Sequence, residues 1–429
     1  MKKLIGLLLC ALLLCGCAAE QTPTIPSEPT EAPTRPVVEV PMETEEAQQK
    51  YEGVQLTYWS LLDQTDVEAR VLMQAAADFE KTTGATVKIL WNSGDETGMI
   101  QKLNGDLQAD LFEVSGQGLQ QNLLTLVLDL TEFAEKAGYE GKSWQTLRSQ
   151  IISRSGTINA IAYRPYLYGL YYNQQVFDDF GIEAGPSTWQ EYLEFCRMLK
   201  ENGYEGLVID DAKANLVLEL HMERALGWDG LKDTMVYARW RSNEMAATMI
   251  QEAIGFASAG YLVKGNPAAW PLGQNRLAQS NAVFVAGSNV LCKEVEDATL
   301  SDVRWGVMPY PGDGDGTGLL VDADVLAIHK DCSNPEAAFD FIMLLTTGEY
   351  DRLRADVTVG IPADPANSGP IHGANGAMAA ATPHAPKWFT ADNNELFCRL
   401  WNGYYKTGMY FADQLNVLSR NFANEKSVG

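Results

Sequence analysis

Residues 54–91, VQLTYWSLLDQTDVEARVLMQAAADFEKTTGATVKILW, contain the pattern that decides the fold. Val54 to Trp59 alternates between apolar and polar side chains and ends in aromatic residues, which predicts a strand. Apolar residues recur at helical spacing from Asp66 to Thr82, and Gly84 follows as a C-cap. Thr86 to Trp91 predicts a second strand. A strand–helix–strand unit with a crossover of about 25 residues favours a parallel sheet in an α/β fold.

Length and composition bound the class of protein. The chain has 429 residues, enough for two domains with sizeable cores. Apolar residues make up 46% and charged residues 21%, which is ordinary for a soluble globular protein. The 32 Lys and Arg against 56 Asp and Glu give a formal net charge of −24. Nucleic acids and anionic lipid surfaces both attract basic proteins, so neither is an expected partner.

The first residues predict export and a lipid anchor. A positive start, Met1-Lys2-Lys3, precedes the apolar run Leu4–Leu14, which is too short to span a bilayer. Leu14-Cys15-Gly16-Cys17 resembles a bacterial lipobox, in which a signal peptide, here residues 1–16, is removed before a cysteine that becomes lipid-modified. Cys17 would anchor the protein to the extracellular face of the cell membrane. The alternative is a plain secretory signal cut near Ala18-Ala19.

The segment after the anchor reads as a disordered tether, residues 17–50. Within residues 21–50 there are six Pro, six Glu and five Thr, with no aromatic residue. Such a composition buries too little apolar surface to offset the entropy lost on ordering. At about 3.1 Å per residue a Pro-rich segment of this length reaches on the order of 90 Å. The folded part would therefore stand away from the membrane.

Several blocks after residue 53 carry a family resemblance. They are FEKTTGATV (79–87), ADLFEV (109–114, a predicted third strand), GLYYN (169–173) and PSTW (186–189) within residues 163–206, NAVFVAGS (281–288), WGVMPYPG (305–312) and PEAAFDF (335–341). In this order the blocks resemble the extracellular solute-binding proteins (family 1 type) of the sugar-importing ABC systems. The resemblance covers residues 53–365, and the block from Tyr163 to Gly206 is its most specific part.

That resemblance implies an α/β, two-lobed periplasmic-binding-protein-like fold of class II, with the ligand in the cleft between lobes joined by crossover strands. The first lobe is expected at 53–161 plus 325–363, and the second at 164–322 plus 366–429. Ligands of open α/β sheets sit beyond the carboxyl ends of the strands, and such lobes close around ligand by a hinge motion. The implied function is that of the binding component of an importer, which binds its solute and catalyses no reaction. A separate ABC permease and its ATPase are the implied partners, and a monomer without cofactor or metal is expected.

Candidate ligand contacts in the first lobe follow strand ends and the first crossover. A sugar offers apolar ring faces and many hydroxyls, so its site needs aromatic platforms and short polar groups. The candidates are Trp59, Asp63, Trp91, Gln117, Tyr166 and Tyr168. Alternation along a strand puts Tyr166 and Tyr168 on one side. Each Trp has an alternative role in the core, and Asp63 has one as a helix cap.

The second lobe and the second crossover supply the remaining candidates. They are Trp228, Trp270, Ser288, Asn289, Asp322, Asp324 and Trp388. Asn289 stands where the resembling family often has Trp, which removes one stacking platform. Asp322 and Asp324 point to the same side of an alternating segment and would repel each other unless paired. They suit ligand hydroxyls or a cationic amine, and they have an alternative role as solvated acids at a lobe edge.

Two other functions stay open at this point. A cationic solute such as a polyamine or an amino sugar suits the acidic chain and the carboxylate pair. A tethered surface glycoside hydrolase would need a pair of catalytic carboxylates, and no segment points to one. Cys196, Cys292, Cys332 and Cys398 allow three disulfide pairings, among which the sequence does not choose.

Overall fold

The computed structural model describes residues 50–105, 109–153, 155–209, 214–237, 239, 242–264 and 282–386. The strands are β1 (Gln55–Ser60), β2 (Thr86–Trp91), β3 (Leu111–Ser115), β4 (Ile161–Asn173), β5 (Glu205–Ile209), β6 (Leu262–Lys264), β7 (Ala282–Ser288), β8 (Trp305–Met308) and β9 (Leu320–Ile328). The helices are α1 (Val67–Thr83), α2 (Glu96–Leu103), α3 (Gly116–Gly118), α4 (Thr131–Lys136), α5 (Arg148–Ile151), α6 (Gln174–Asp179), α7 (Trp189–Glu201), α8 (Ala214–Val236), α9 (Glu244–Ser258), α10 (Val290–Thr299), α11 (Pro335–Thr346), α12 (Gly348–Thr358) and α13 (Ala374–Ala380). Within the described ranges, none of these helices has the length and apolar character needed to cross a bilayer.

The strand–helix–strand prediction is confirmed. β1 and β2 pair in parallel from Gln55 opposite Thr86 to Ser60 opposite Trp91, with α1 as the crossover. α1 buries the side chains that recur at helical spacing, including Leu72 and Phe79. β3 adds to the other side of β1, also in parallel. The carboxyl ends of these three strands therefore meet at one edge of the sheet.

One long strand connects the two halves of the sheet. The strand order is β2-β1-β3-β9-β4-β7-β5-β6, and β8 also pairs with β4. The first half of β4 pairs antiparallel with β9, from Ile161 to Tyr168. Its second half pairs with β7, from Tyr168 to Tyr172. β9 in turn pairs with β3. β4 and β9 are therefore the strands that cross between the two regions.

Two hydrophobic cores lie on either side of these crossing strands. The first is built around Tyr58, Phe112 and Phe341, with the rings of Phe79 and Phe341 5.2 Å apart. The second is built around Tyr192 and Phe284, whose rings meet edge to face at 5.7 Å. Two cores joined by crossing strands agree with the expected two-lobed fold. The residue boundaries given for the lobes stay a prediction.

The turn between α1 and β2 depends on glycine. Gly84 has φ +81°, and a Cβ there would lie 3.0 Å from the Cα of Glu52. Gly84→Ala is expected to lower the free energy of unfolding by about 1–2 kcal/mol, because the left-handed backbone and the close approach both oppose a side chain. Urea unfolding measures this. Gly141→Ala is the control, since Gly141 has ordinary φ and open space around it; an equal loss in both variants would contradict the explanation.

Candidate functional site

The crossing strands present polar side chains on one face of the sheet. Residues directly opposite each other in a strand pair share a face. On β4 and β9, Arg164 lies opposite Asp324 and Tyr166 opposite Asp322. Tyr168 lies opposite Ser288 of β7. The register thus places polar side chains of β4, β7 and β9 side by side on one face, between the two cores.

A β-bulge sets this arrangement. The β4–β9 register shifts between Ala162 and Arg164, so Tyr163 is the extra residue. Without the shift, alternation would place Tyr163 opposite Asp324 and turn Arg164 to the other face. Bulges commonly re-aim side chains in this way. The guanidinium therefore reaches the polar face because of one inserted residue.

Arg164 is the centre of a buried ionic group. Its Nε lies 2.7 Å from Glu68 of α1, and its Nη1 lies 3.0 Å from Asp324. Its Nη2 contacts Glu113 of β3. The Tyr166 hydroxyl donates to the same Asp324 oxygen at 2.5 Å. We call these five residues the Arg164 cluster. It ties α1 and β3 to both crossing strands.

The charges in the Arg164 cluster do not balance when all its groups are ionised. One guanidinium faces three carboxylates, and Glu113 is fully buried. Burial raises the pKa of Glu113 to about 7, although Arg164 pulls that pKa down. Burial also raises the pKa of Asp324, again against the opposing effect of Arg164. Burial therefore favours the protonated forms of Glu113 and Asp324, whereas Arg164 favours their ionised forms.

A concave groove lies beside the Arg164 cluster. A cavity of about 220 Å³ is lined by Tyr166, Tyr168 and Ser288 together with Leu216 of α8 and Val290 of α10. A second cavity of about 270 Å³ shares Tyr166 and Val290 and extends along Glu68 and Arg164. Apolar and aromatic walls with a few polar groups are typical of small-molecule sites. We call these two adjoining cavities together the crossover groove.

Asp322 differs from its neighbour Asp324. It is half-buried, and its Oδ1 accepts a bond from the amide of the next residue, Ala323, at 2.9 Å. Burial raises the pKa of Asp322 to about 7; the Ala323 N–H opposes this rise, and the nearby Asp324 and Glu96 add to it. In the described residues no cation lies within ion-pair distance of this carboxylate.

Asn289 lies beside the crossing strand β4, and both ends of its side-chain amide are hydrogen-bonded to the β4 backbone. Its Oδ1 accepts from the Leu167 amide at 2.9 Å, and its Nδ2 donates to the Pro165 carbonyl at 3.2 Å. β7 ends at Ser288, so this part of β4 has no strand partner on that side. A proline in a strand needs such an unpaired edge. The Asn289 side chain supplies the hydrogen bonds that a longer β7 would have made.

Six of the predicted ligand contacts come together at the crossing strands. They are Tyr166, Tyr168, Ser288, Asn289, Asp322 and Asp324. Ser288 and the two tyrosines line the groove, whereas Asp324 belongs to the Arg164 cluster. Their contact with ligand stays a prediction.

The first-lobe candidates follow the ends of β1, β2 and β3. Trp59 is 4% exposed and packs in the first core. Trp91 is half-buried against that core. Asp63 accepts from Thr65 in its own loop and from Ser93 in the loop after β2, and these bonds lower its pKa to about 2. Gln117 is exposed, two residues beyond Ser115.

Trp228 stacks on His384 with ring centroids 4.1 Å apart, just after a kink in α8 at Gly227. Trp270, Trp388 and Cys17 lie outside the described residues. Cys196, Cys292 and Cys332 are free thiols, and Cys398 is also outside the described part.

Sequence reasoning missed the partners of Arg164. Glu113 carried a signal, since it is a charged residue within the buried strand LFEVS. A carboxylate in such a strand requires a hydrogen-bonded or charged partner. Glu68 and Glu96 carried no comparable signal, because acidic residues in the first turn of a helix are common. Glu96 accepts from the amide and hydroxyl of Ser115 at 2.8 and 2.7 Å.

Solved structures share this fold at low sequence identity. Apo RafE from Streptococcus pneumoniae aligns with a TM-score of 0.69 at 17% identity, over 89% of this chain and 100% of RafE; RafE was also solved in complex with raffinose. The bacterial solute receptor AcbH, described as having an exclusive preference for β-D-galactopyranose, aligns at 0.67 and 14%, over 89% and 99%. A Bacillus licheniformis sugar transporter in complex with stachyose aligns at 0.57 and 17%, over 86% and 98%.

A search of curated protein sequences found no match. The family model of the bacterial extracellular solute-binding proteins matches residues 65–351, which is well over half of the chain. That span contains α1, both crossing strands and most of the crossover groove. The protein therefore belongs to the bacterial extracellular solute-binding protein family.

Proposed function

We propose that this protein is the lipid-anchored, extracellular binding component of an ABC importer, and that it captures a sugar or oligosaccharide in the crossover groove. The observation that carries the proposal is the groove itself. Tyr166 and Tyr168 lie beside Ser288 and Asp322 on strands that connect the two cores. Tyrosine rings offer faces to sugar rings, a serine hydroxyl donates to and accepts from sugar hydroxyls, and a carboxylate accepts from them. Sugar-binding neighbours such as RafE support the same ligand class.

The proposed mechanism is recognition followed by closure. A ligand that fills the groove contacts Tyr168, Ser288 and Leu216 beside the second core. We propose that it also reaches Asp322 of β9, which lies opposite the groove-lining Tyr166. It shifts the lobes toward a closed form only to the extent that it binds that form more tightly. The closed form would dock on a permease driven by a separate ATPase, with Cys17 holding the protein at the membrane. In this mechanism the saccharide leaves unchanged.

A cationic solute is the second candidate. Asp322 offers carboxylate capacity without a cation partner in the described residues, and Asp324 and Glu96 reinforce the negative field around it. An amino sugar would satisfy both the tyrosine faces and this field. A polyamine would use the field and place its ammonium groups against the tyrosine faces, but it has no sugar ring to stack on them.

A thermal-shift screen of the purified protein tests these proposals. The panel is raffinose, stachyose, galactose, a chitin oligosaccharide, glucosamine and spermidine, with calorimetric titration of each hit. A ligand at 100 times its Kd adds about 2.7 kcal/mol to the stability of the native state, so binding is visible as a higher Tm. We expect a hit with a neutral saccharide whose composition is unchanged after incubation. A hit with spermidine alone would move the proposal to the cationic solute, and a consumed saccharide would overturn the binding function.

A further inference from the structure

The second crossing strand carries two carboxylates on the same face with different partners. The Oδ2 of Asp324 pairs with Nη1 of Arg164 at 3.0 Å and accepts a hydrogen bond from the Tyr166 hydroxyl at 2.5 Å. Asp322 accepts from the Ala323 amide, which belongs to its own strand. Among the described residues, no hydrogen bond engages the second oxygen of Asp322. Asp322 lies opposite Tyr166, whose side chain lines the crossover groove. The two acids are two positions apart on β9, but they have different hydrogen-bonding and ion-pair partners.

Among the residues that the structure describes, the groups around Asp322 supply no counter-charge. Tyr166 lies opposite it on β4 and Tyr168 lies one step further along. Asp324 on β9 and Glu96 on α2 add negative charge. The buried Glu219 of α8 acts on the neighbouring Tyr168. His384, on the segment packed along β9, contributes its carbonyl to the Val321 amide. Arg164 is already shared among three carboxylates.

An ionised Asp322 is therefore poorly stabilised while the groove is empty. Desolvation and neighbouring negative charge both favour its protonated form. The hydroxyl or ammonium donors of a ligand would reverse this, because hydrogen bonds to the ionised form favour it. The pKa of about 7 agrees with this geometry, since it leaves the carboxyl poised between its two forms at neutral pH.

We propose that Asp322 contacts the ligand directly and exchanges a proton for it: the empty groove holds Asp322 protonated, and capture of a hydroxyl- or ammonium-bearing ligand releases that proton to solvent. The O–H bond of the carboxyl group breaks, the proton goes to the buffer, and ligand donors bind the carboxylate. This inference rests on the proposed function, because it assigns the groove as the binding site.

The first test needs no ligand. A folded-state pKa above the unfolded value stabilises the protein at low pH, and this stabilisation is lost as pH rises through the folded pKa. Asp322→Asn removes that contribution. The Tm of Asp322→Asn relative to wild type should therefore rise between pH 5 and pH 8. Asp63→Asn is the matched control, because the pKa of Asp63 is about 2 and its Tm difference should stay constant over this range.

The second test uses the saccharide panel, with raffinose first. For the saccharide that binds, wild-type affinity should fall by nearly tenfold for each pH unit below 7, and calorimetry in phosphate and Tris should show proton release near pH 6.5. Asp322→Asn should bind more weakly at pH 8 and lose the pH dependence. Parallel Tm curves for Asp322→Asn and wild type, or pH-independent wild-type affinity, would overturn the inference alone. Binding of no saccharide in the panel and no cationic solute would overturn the proposed function and this inference with it.

Discussion

Arg164→Met is expected to lower the free energy of unfolding at pH 7.5 by about 3–5 kcal/mol, because it removes the guanidinium that pairs with the carboxylates of the Arg164 cluster. The guanidinium contacts Glu68, Glu113 and Asp324, and the Glu113 side chain is fully buried. Methionine fills much of the arginine volume, so the loss reports charge more than packing. Urea unfolding at pH 7.5 measures the change.

The pH dependence of this loss identifies its cause. Arg164 holds down the pKa of Glu113 and of Asp324, so its removal raises both further above their unfolded values. When the pKa of an acidic group is higher in the folded than in the unfolded state, the folded protein loses stability as pH rises. The destabilisation by Arg164→Met should therefore be smaller at pH 5.5 than at pH 7.5. Adding Glu113→Gln should recover part of the loss at pH 7.5. An equal loss at both pH values, with no recovery in the double variant, would point to packing instead of charge.

The elements of the first region are predictable because their signals are local. Alternation in residues 54–59 and helical spacing in residues 66–82 both follow from which face is buried. Gly84 marks the helix end because a left-handed residue is needed there. The parallel pairing then follows from the length of the crossover. Each of these inferences uses residues of the single segment 54–91.

The crossing strands are less predictable because their partners are far away in sequence. β4 pairs with β9 across about 160 positions, as in the ion pair between Arg164 and Asp324. The bulge at Tyr163 then decides which side chain faces Asp324, and no local pattern marks it. Alternation alone correctly grouped Tyr166 with Tyr168, since both follow the bulge. Long-range register is the part of the site that sequence spacing does not determine.

The roles of side chains within the site also depend on contacts between residues that are distant in sequence. The sequence singles out Asp322 and Asp324 equally, because both are acids in an alternating segment. Only the structure separates them, by giving Arg164 and Tyr166 to Asp324. The tryptophans show the same ambiguity, since an aromatic residue at a strand end suits both a core and a platform. Trp59 packs in the first core, where its ring lies 5.4 Å from the Lys102 ammonium.

Tyr168→Ala is expected to weaken saccharide binding by about 2 kcal/mol, roughly thirtyfold, because it removes an aromatic wall of the crossover groove. Tyr168 is half-buried, lies opposite Ser288, and lines the cavity together with Leu216 and Val290. Its position where β4 passes from β9 to β7 lets one ring contact a ligand held by both regions. Calorimetric titration with the saccharide identified in the screen measures the change.

Two further variants separate the ring from its surroundings. Tyr168→Phe retains the ring and should keep affinity within about threefold, whereas a loss as large as that of Tyr168→Ala would assign the binding to the hydroxyl. Tyr204→Ala removes a ring of the same size that is half-buried against Phe180, at the start of β5 and away from the groove. It should destabilise the fold without changing affinity. A ring that contacts the ligand must affect binding beyond its effect on folding. Equal losses of affinity in Tyr204→Ala and Tyr168→Ala would therefore mean that Tyr168 acts on binding only through the stability of the fold.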